Sequence, residues 1–461
     1  SPRSPLPPMR PISLQTLADF ALGRLLQGDG QRLVTQVSTD SRRIAEGDVF
    51  VALKGDRFDA HDYAAQVAAA GAAAVIVSRP VTGLPCAVIQ VEDTLTALQN
   101  LARAYRAWHR PLVVALTGSN GKTSTKDLTT AVLSRQFPLF ATQGNLNNHI
   151  GLPLTLLSLQ DAHTCAITEM GMNHPGEIRT LVDIARPDAA ILTNCGRAHI
   201  EHLGSSENIA WEKATLPACI PPGGHVVLNA DDAYTSRISR LCQARVITAG
   251  IGSGDVSAQD LTATATGTTF TLDFAGSRVK ATLPLLGRHM VGNAALAAAM
   301  GWSLGMEPDV IADALTTARL SGGRLQPKVL SGIQFLDDSY NANPDSMLAG
   351  LRTLSETAAA RRFAVLGAMG ELGPHAAAGH DQVGEYAATL GLDGVFTVGS
   401  ADAARISAAA SAGTTASHFP DHAACAAHLR SLLQPGDLVL LKGSRSSAME
   451  KILTHFTTVT A

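Results

Sequence analysis

One stretch constrains this chain more than any other. An apolar run at residues 112–116 leads directly into Thr117-Gly118-Ser119-Asn120-Gly121-Lys122-Thr123, and a helical stretch over 124–134 follows. Strand, glycine-bearing loop and helix, in that order, are the setting of a phosphate cradle. The glycines let backbone N–H groups turn inward, and the helix N-terminus adds a favourable dipole. Lys122 can then reach the β- and γ-phosphates, and the Thr123 hydroxyl can ligate Mg²⁺. Thr117, Gly118, Ser119, Asn120, Gly121, Lys122, Thr123 and Ser124 are the candidate nucleotide contacts. The common form of the motif has glycine where this chain has Leu116, so an ordinary strand-to-helix turn is the plain alternative.

Short β-branched runs alternate with Ala-rich helical stretches along most of the chain, which indicates α/β architecture with largely parallel sheets. Strands are expected at 48–52, 74–78, 87–91, 165–169, 189–194, 225–228, 245–249, 363–366, 395–398 and 437–441. Residues 268–274 and 279–283 alternate around Ala275-Gly276-Ser277 and read as a hairpin. Helices are expected at 94–108, 292–304 and 308–318. The chain has 461 residues, and at ~150 residues per domain that predicts about three domains. Boundaries fall at Arg110-Pro111 and at the linker Ser321-Gly322-Gly323, giving 9–110, 111–322 and 323–461. Residues 1–8 read as a leader, with Met9 as the natural start.

Composition removes several classes. The net charge is −3 with no broad basic excess, which argues against a nucleic-acid binder. No run approaches the ~18 apolar residues of a membrane span. Cys86, Cys165, Cys195, Cys219, Cys242 and Cys425 are scattered, with no Cys-x-x-Cys pair, and read as buried reduced thiols.

Other polar residues sit where α/β sheets bind ligands, just beyond strand C-termini. Glu169 ends one strand and could hold Mg²⁺ directly or through water. His199 lies beyond the next strand, while Lys213 by itself reads as a solvated helix lysine. Arg324, after the flexible linker, could swing onto a transferring phosphoryl group. Asp337-Asp338-Ser339-Tyr340-Asn341-Ala342-Asn343-Pro344 is a dense polar cluster that also fits an Asx-rich turn. Lys442-Gly443-Ser444-Arg445 ends a further strand and could receive a carboxylate or phosphate.

Taken in order, these signals resemble the Mur ligase family of peptidoglycan synthesis, from about Ile12 to the C-terminus. The phosphate loop is similar to that family's shortened form. Gly144-Asn145-Leu146-Asn147-Asn148-His149-Ile150-Gly151-Leu152-Pro153 is similar to its substrate loop, which places Asn145 and Asn148 on substrate. Glu169 and His199 fall on its metal-site residues, and Lys213 on a lysine carbamylated in several members. Asn293, in Gly287-Arg288-His289-Met290-Val291-Gly292-Asn293, falls on its adenine contact. Thr39-Asp40-Ser41-Arg42 resembles the uridine-nucleotide domain, with Ser41 and Arg42 near the diphosphate. Asp337 to Pro344 resembles the D-alanyl-D-alanine-adding branch, and the Asp-Asn-Pro-Arg signature of diaminopimelate-adding members is absent.

The resemblance implies three α/β domains: an N-terminal uridine-nucleotide domain, a central P-loop ATPase domain with a mostly parallel sheet, and a C-terminal Rossmann-like domain for the dipeptide. It implies ATP-dependent amide formation through an acyl phosphate, using ATP and Mg²⁺. The substrates would be UDP-N-acetylmuramoyl-tripeptide and D-alanyl-D-alanine, handled by a cytoplasmic monomer. In that reading Lys122, His199, Lys213 and Arg324 are catalytic, Thr123, Glu169, His199 and Lys213 hold metal, and Asn293, Arg324 and Asp338 meet the nucleotide. Asn341, Lys442 and Ser444 face the dipeptide. The alternatives are a diaminopimelate- or lysine-adding ligase, folylpolyglutamate synthase, and a non-catalytic P-loop binding protein.

Overall fold

The computed structural model describes residues 6–457, so the expected leader lies mostly outside the described residues. Met9 is already packed, 2% exposed, with its N–H on Thr35 O. Three larger sheets follow along the chain.

The N-terminal sheet runs, in spatial order, Arg24–Gln27, Ala87–Gln90, Ala74–Val77, Val49–Val51 and Val37–Ser38. Only Arg24–Gln27 is antiparallel. Successive side chains of a strand point to opposite faces. Val49 and Val51 accordingly enter one apolar cluster while Phe50 enters another. The helix Thr94–His109 then docks this unit on the next one. Arg106 Nε donates to Ala185 O at 2.9 Å, and its Nη2 reaches Asp188 Oδ2 at 2.9 Å.

The central sheet has nine strands, ordered Ser277–Leu283, Thr268–Phe274, Val256–Ala263, Arg245–Ile251, His225–Asn229, Ala189–Leu192, Leu112–Thr117, Cys165–Glu169 and Leu139–Ala141. It is parallel from Val256–Ala263 to Leu139–Ala141, and antiparallel at the other end. Leu112–Thr117 lies inside the sheet, third from the Leu139–Ala141 edge, with Val113 to Thr117 buried, as a strand covered on both faces must be. Its C-terminus delivers the phosphate loop to the crevice at the sheet edge.

The C-terminal sheet is ordered Gln326–Leu330, Ile333–Asp338, Leu438–Lys442, Arg362–Leu366, Gly394–Val398 and Ala416–Phe419. All pairs are parallel except Gln326–Leu330 with Ile333–Asp338. Leu440 faces one apolar cluster, and Val439 and Leu441 face the other, so both faces are covered.

Three expectations need correction. The predicted hairpin loop of three residues is two, because Phe274 pairs with Ser277. Ala275 and Gly276 both have positive φ, +50° and +103°, as a tight hairpin turn requires. The helix expected from 124 begins at Lys122, because Gly121 at φ +77° turns the chain into the helix two residues sooner. The helix expected from 292 begins at Arg288, after Gly287 at φ +102°.

Candidate active site

The phosphate loop is held from both sides before any ligand is considered. Ser119 N donates to Asn194 O at 3.0 Å and Asn120 N to Asn194 Oδ1 at 2.9 Å. Thr193 Oγ1 donates to Asn120 O at 2.6 Å. A Cβ on Gly118 would sit 1.7 Å from that Thr193 hydroxyl, so only glycine fits. A Cβ on Gly121 would meet the Asn293 side-chain amide at 2.9 Å, which places Asn293 directly on the loop. Lys122 Nζ curls back onto Gly118 O at 2.8 Å. Burial lowers the pKa of its amine; Glu169 opposes the shift and Arg324 adds to it. Thr117 is fully buried and donates its hydroxyl to Met170 O, so its side chain is turned away from the cleft.

Glu169 closes the loop's open side. Its Oε2 accepts from Thr123 Oγ1 at 2.9 Å, and its Oε1 accepts from Asn147 Nδ2 at 3.0 Å. A hydroxyl and a carboxylate side by side at a phosphate loop are hard oxygen donors of the kind Mg²⁺ takes along with substrate phosphates. Asn148 Oδ1 accepts from Ile150 N and Gly151 N, which fixes the substrate loop, and Asn145 lines the same cleft.

His199 sits at φ +64° just beyond the neighbouring strand. Its Nδ1 lies 2.6 Å from Glu371 Oε2, an ion-pair contact without hydrogen-bond geometry. The contact with His199 holds the Glu371 carboxyl below the usual glutamate range, against the effect of burial. Lys213 departs from the solvated lysine that its local sequence suggests. It is fully buried on helix Ser206–Ala218, and its Nζ has no hydrogen-bond partner. Burial, reinforced by Lys122, drives its pKa well below the ordinary lysine value. No cluster of three or more His, Cys, Asp or Glu side chains suited to a metal occurs among the described residues.

The C-terminal domain supplies the opposite wall. Lys442 Nζ donates to Asp338 Oδ2 at 2.8 Å and to Asn341 O at 3.1 Å, and Leu325 N donates to Asp338 Oδ1 at 3.2 Å. Both Asp338 oxygens are thus engaged within this domain. Arg324 is stacked 3.9 Å over the Tyr340 ring, where the sequence suggested a freely swinging side chain. Lys122, Glu169, His199, Asn293, Arg324 and Asp338 line one cleft of about 1390 Å³ with Asn341, Lys442 and Ser444. Lys213, fully buried, is not among the residues that line it. Ser41 and Arg42 lie on the N-terminal domain away from it, with Arg42 paired to both oxygens of Asp40.

Asn147, Asn194, Asn343 and Glu371 are among the cleft residues to which the sequence assigns no individual role. Glu371 follows the strand Arg362–Leu366, so the strand-end rule that found Glu169 could have found it too. The asparagines act through side-chain bonds that no local pattern encodes.

Family models match along the chain: "Mur ligase family, catalytic domain" at residues 33–106, "Mur ligase middle domain" at 116–301 and "Mur ligase, glutamate ligase domain" at 323–445. UDP-N-acetylmuramoyl-tripeptide–D-alanyl-D-alanine ligase of Escherichia coli K12 is 40% identical over 449 residues, covering 96% of this chain and 97% of its own. A crystal structure of MurF from Acinetobacter baumannii superposes with a TM-score of 0.90 at 34% identity, covering 97% of this chain and 99% of that one. MurF from Thermotoga maritima in complex with ADP superposes at 0.83 with 29% identity, covering 91% and 96%.

Proposed function

The chain belongs to the Mur ligase family, and we propose on that premise that it joins D-alanyl-D-alanine to UDP-N-acetylmuramoyl-tripeptide in an ATP-dependent reaction. One observation carries the reading. A single cleft brings the phosphate loop of the central domain against three strand ends of the C-terminal domain, at Tyr340 to Asn343, Gly370 to Leu372 and Ser444 to Ser446. A nucleotide held on one wall and an amine held on the other meet there. The domain boundaries fall at 110/111 and 322/323 in this reading.

A carboxylate does not condense with an amine at neutral pH, because oxide is a poor leaving group. ATP, with Mg²⁺ neutralising its phosphates, supplies the γ-phosphoryl that converts the carboxylate into an acyl phosphate, with ADP released. The dipeptide α-amine, having lost its proton, then forms the C–N bond while phosphate departs. The protein contributes mainly position and charge. Lys122 neutralises the transferring group. Thr123 and Glu169 would hold Mg²⁺, which would offset phosphate charge, and Asn293 would orient the adenine. Arg324 meets the nucleotide from the C-terminal side, and Asp338 anchors that wall through Lys442. Asn341, Lys442 and Ser444 face the dipeptide. Ser41 and Arg42 hold the uridine diphosphate, and Asn145 and Asn148 the acceptor peptide.

Lys213 fits carbamylation. Burial of an unpartnered amine favours its neutral form, and the neutral amine is the form that reacts with CO₂. The carbamate would supply the oxygens this site lacks, and with His199 would hold a second metal. The enzyme acts as a cytoplasmic monomer, where ATP and the uridine nucleotide are found.

The test is ADP release by the full chain with ATP, Mg²⁺ and UDP-N-acetylmuramoyl-tripeptide against a panel of amines. D-Alanyl-D-alanine should stimulate release, and free diaminopimelate and lysine should not. Stimulation by a free diamino acid would assign the chain to another branch. Nucleotide binding without amine-dependent ADP release would leave only a binding protein.

A further inference from the structure

The loop that follows strand Ala189–Leu192 does two things at once. It is strapped to the phosphate loop by the bonds from Thr193 and Asn194, and by Ser119 Oγ donating to Gly196 O at 3.2 Å. It also carries Arg197, which reaches into the C-terminal domain. Arg197 N donates to Asp345 Oδ2 at 2.8 Å, while its Nε and Nη2 donate to Oδ1 at 3.2 and 2.8 Å. Its Nη1 donates to Gln382 Oε1 at 2.7 Å. One guanidinium therefore grips two helices, Pro344–Glu356 and Ala376–Ala388. The approach is close: a Cβ on Gly196 would lie 2.7 Å from Asp345 Oδ2. A parallel contact joins Asn343 Nδ2 to Asn120 Oδ1 at 2.6 Å, from the same helix start to the phosphate loop itself.

We propose that Arg197 is a positioning residue for ligation: a latch that seats the amine-bearing domain on the phosphate loop, so that the two walls of the cleft come together in one register. Two guanidinium nitrogens share Asp345 Oδ1 while the backbone N–H takes Oδ2, which fixes orientation as well as distance. Each side chain of the pair is about one-third exposed, 32% and 34%, so the latch can open and close without a large desolvation cost. Arg197 touches neither reacting group and works through Asp345. The proposal rests on the ligase reading above.

The test uses the full chain with Arg197→Ala and with the double reversal Arg197→Asp, Asp345→Arg. Arg197→Ala should lower kcat about tenfold or more and raise KM for D-alanyl-D-alanine, because productive geometry is lost. Affinity for a non-hydrolysable ATP analogue should stay within about twofold, since the nucleotide's own contacts remain. Small-angle scattering should show a larger radius of gyration than the parent, and the double reversal should restore part of the lost kcat. Parental kcat and an unchanged radius in Arg197→Ala would overturn the latch. So would a loss accompanied by weakened nucleotide binding and no recovery in the double reversal. If the parent itself shows no amine-dependent ADP release, the ligase reading fails, and the scattering comparison still decides the latch.

Discussion

A fully buried lysine without a partner is costly to keep, so Lys213 works against stability, as the proposed carbamylation would explain. In CO₂-depleted buffer, Lys213→Met should stabilise the fold by about 1–3 kcal/mol in denaturant titration, by removing an unsatisfied polar group. The same variant should lose ligation. Lys213→Ala should regain part of its activity with an added short-chain carboxylic acid, and a stable variant that ligates fully would remove the carbamate role. His289 sits at the cleft with its pKa lowered to about 4, by burial first and by Lys442, with Asp338 opposing. The sign follows from linkage. Between pH 6.5 and about 4 the unfolded chain is protonated at this group and the folded chain is not. Stability therefore falls as pH drops through that window, and this group adds no further loss below it. His289→Gln should flatten that part of the stability–pH curve; an unchanged slope would mean other groups set it.

At the scale of elements, the phosphate loop depends on how closely two strand ends approach. Gly118→Ala would drive a methyl into the Thr193 hydroxyl that holds Asn120 O. The loop must shift to relieve a contact of that kind, so ATP-analogue affinity should fall about tenfold or more, because a displaced phosphate cradle no longer aims its N–H groups. Calorimetric binding would check this, and parental affinity would show that the loop tolerates the shift. The same packing explains why the helix start was misplaced by two residues in the sequence reading. Gly121 takes positive φ beneath Asn293, and Asn293 lies 172 residues downstream.

Across the whole molecule the cleft joins the central and C-terminal domains, while the N-terminal sheet stands apart from its lining, except near the start of helix Thr94–His109. A non-hydrolysable ATP analogue should therefore protect amides around 117–124, 289–293 and 338–343 in hydrogen exchange, with little change in the N-terminal strands. A ligand that binds only the folded state stabilises by about 2.7 kcal/mol at one hundred times its Kd, and that linkage is confined to the parts it bridges. Equal protection of residues 24–90 would contradict this division. The chain need not unfold in one step, so exchange is the better probe than a single melting temperature.

Local sequence carries the α/β class, the three-domain count, the phosphate-loop motif and the likeness to the family, and it makes Glu169 a candidate metal ligand. These rest on periodicity, turn chemistry and ordered motifs, which are local properties of a chain. It placed Arg324 and Lys213 among the charged residues but not in their surroundings. Only the tertiary structure decided that Arg324 stacks on Tyr340, that Lys213 is buried without a partner, and that Glu371 meets His199. The same holds for Lys442 with Asp338, Arg197 with Asp345 and Asn343 with Asn120, pairs 104, 148 and 223 residues apart. Such pairs form because neighbouring strands of one sheet, as for Lys442 with Asp338, or strand ends of two sheets meet at one crevice, and no window along the chain contains both partners.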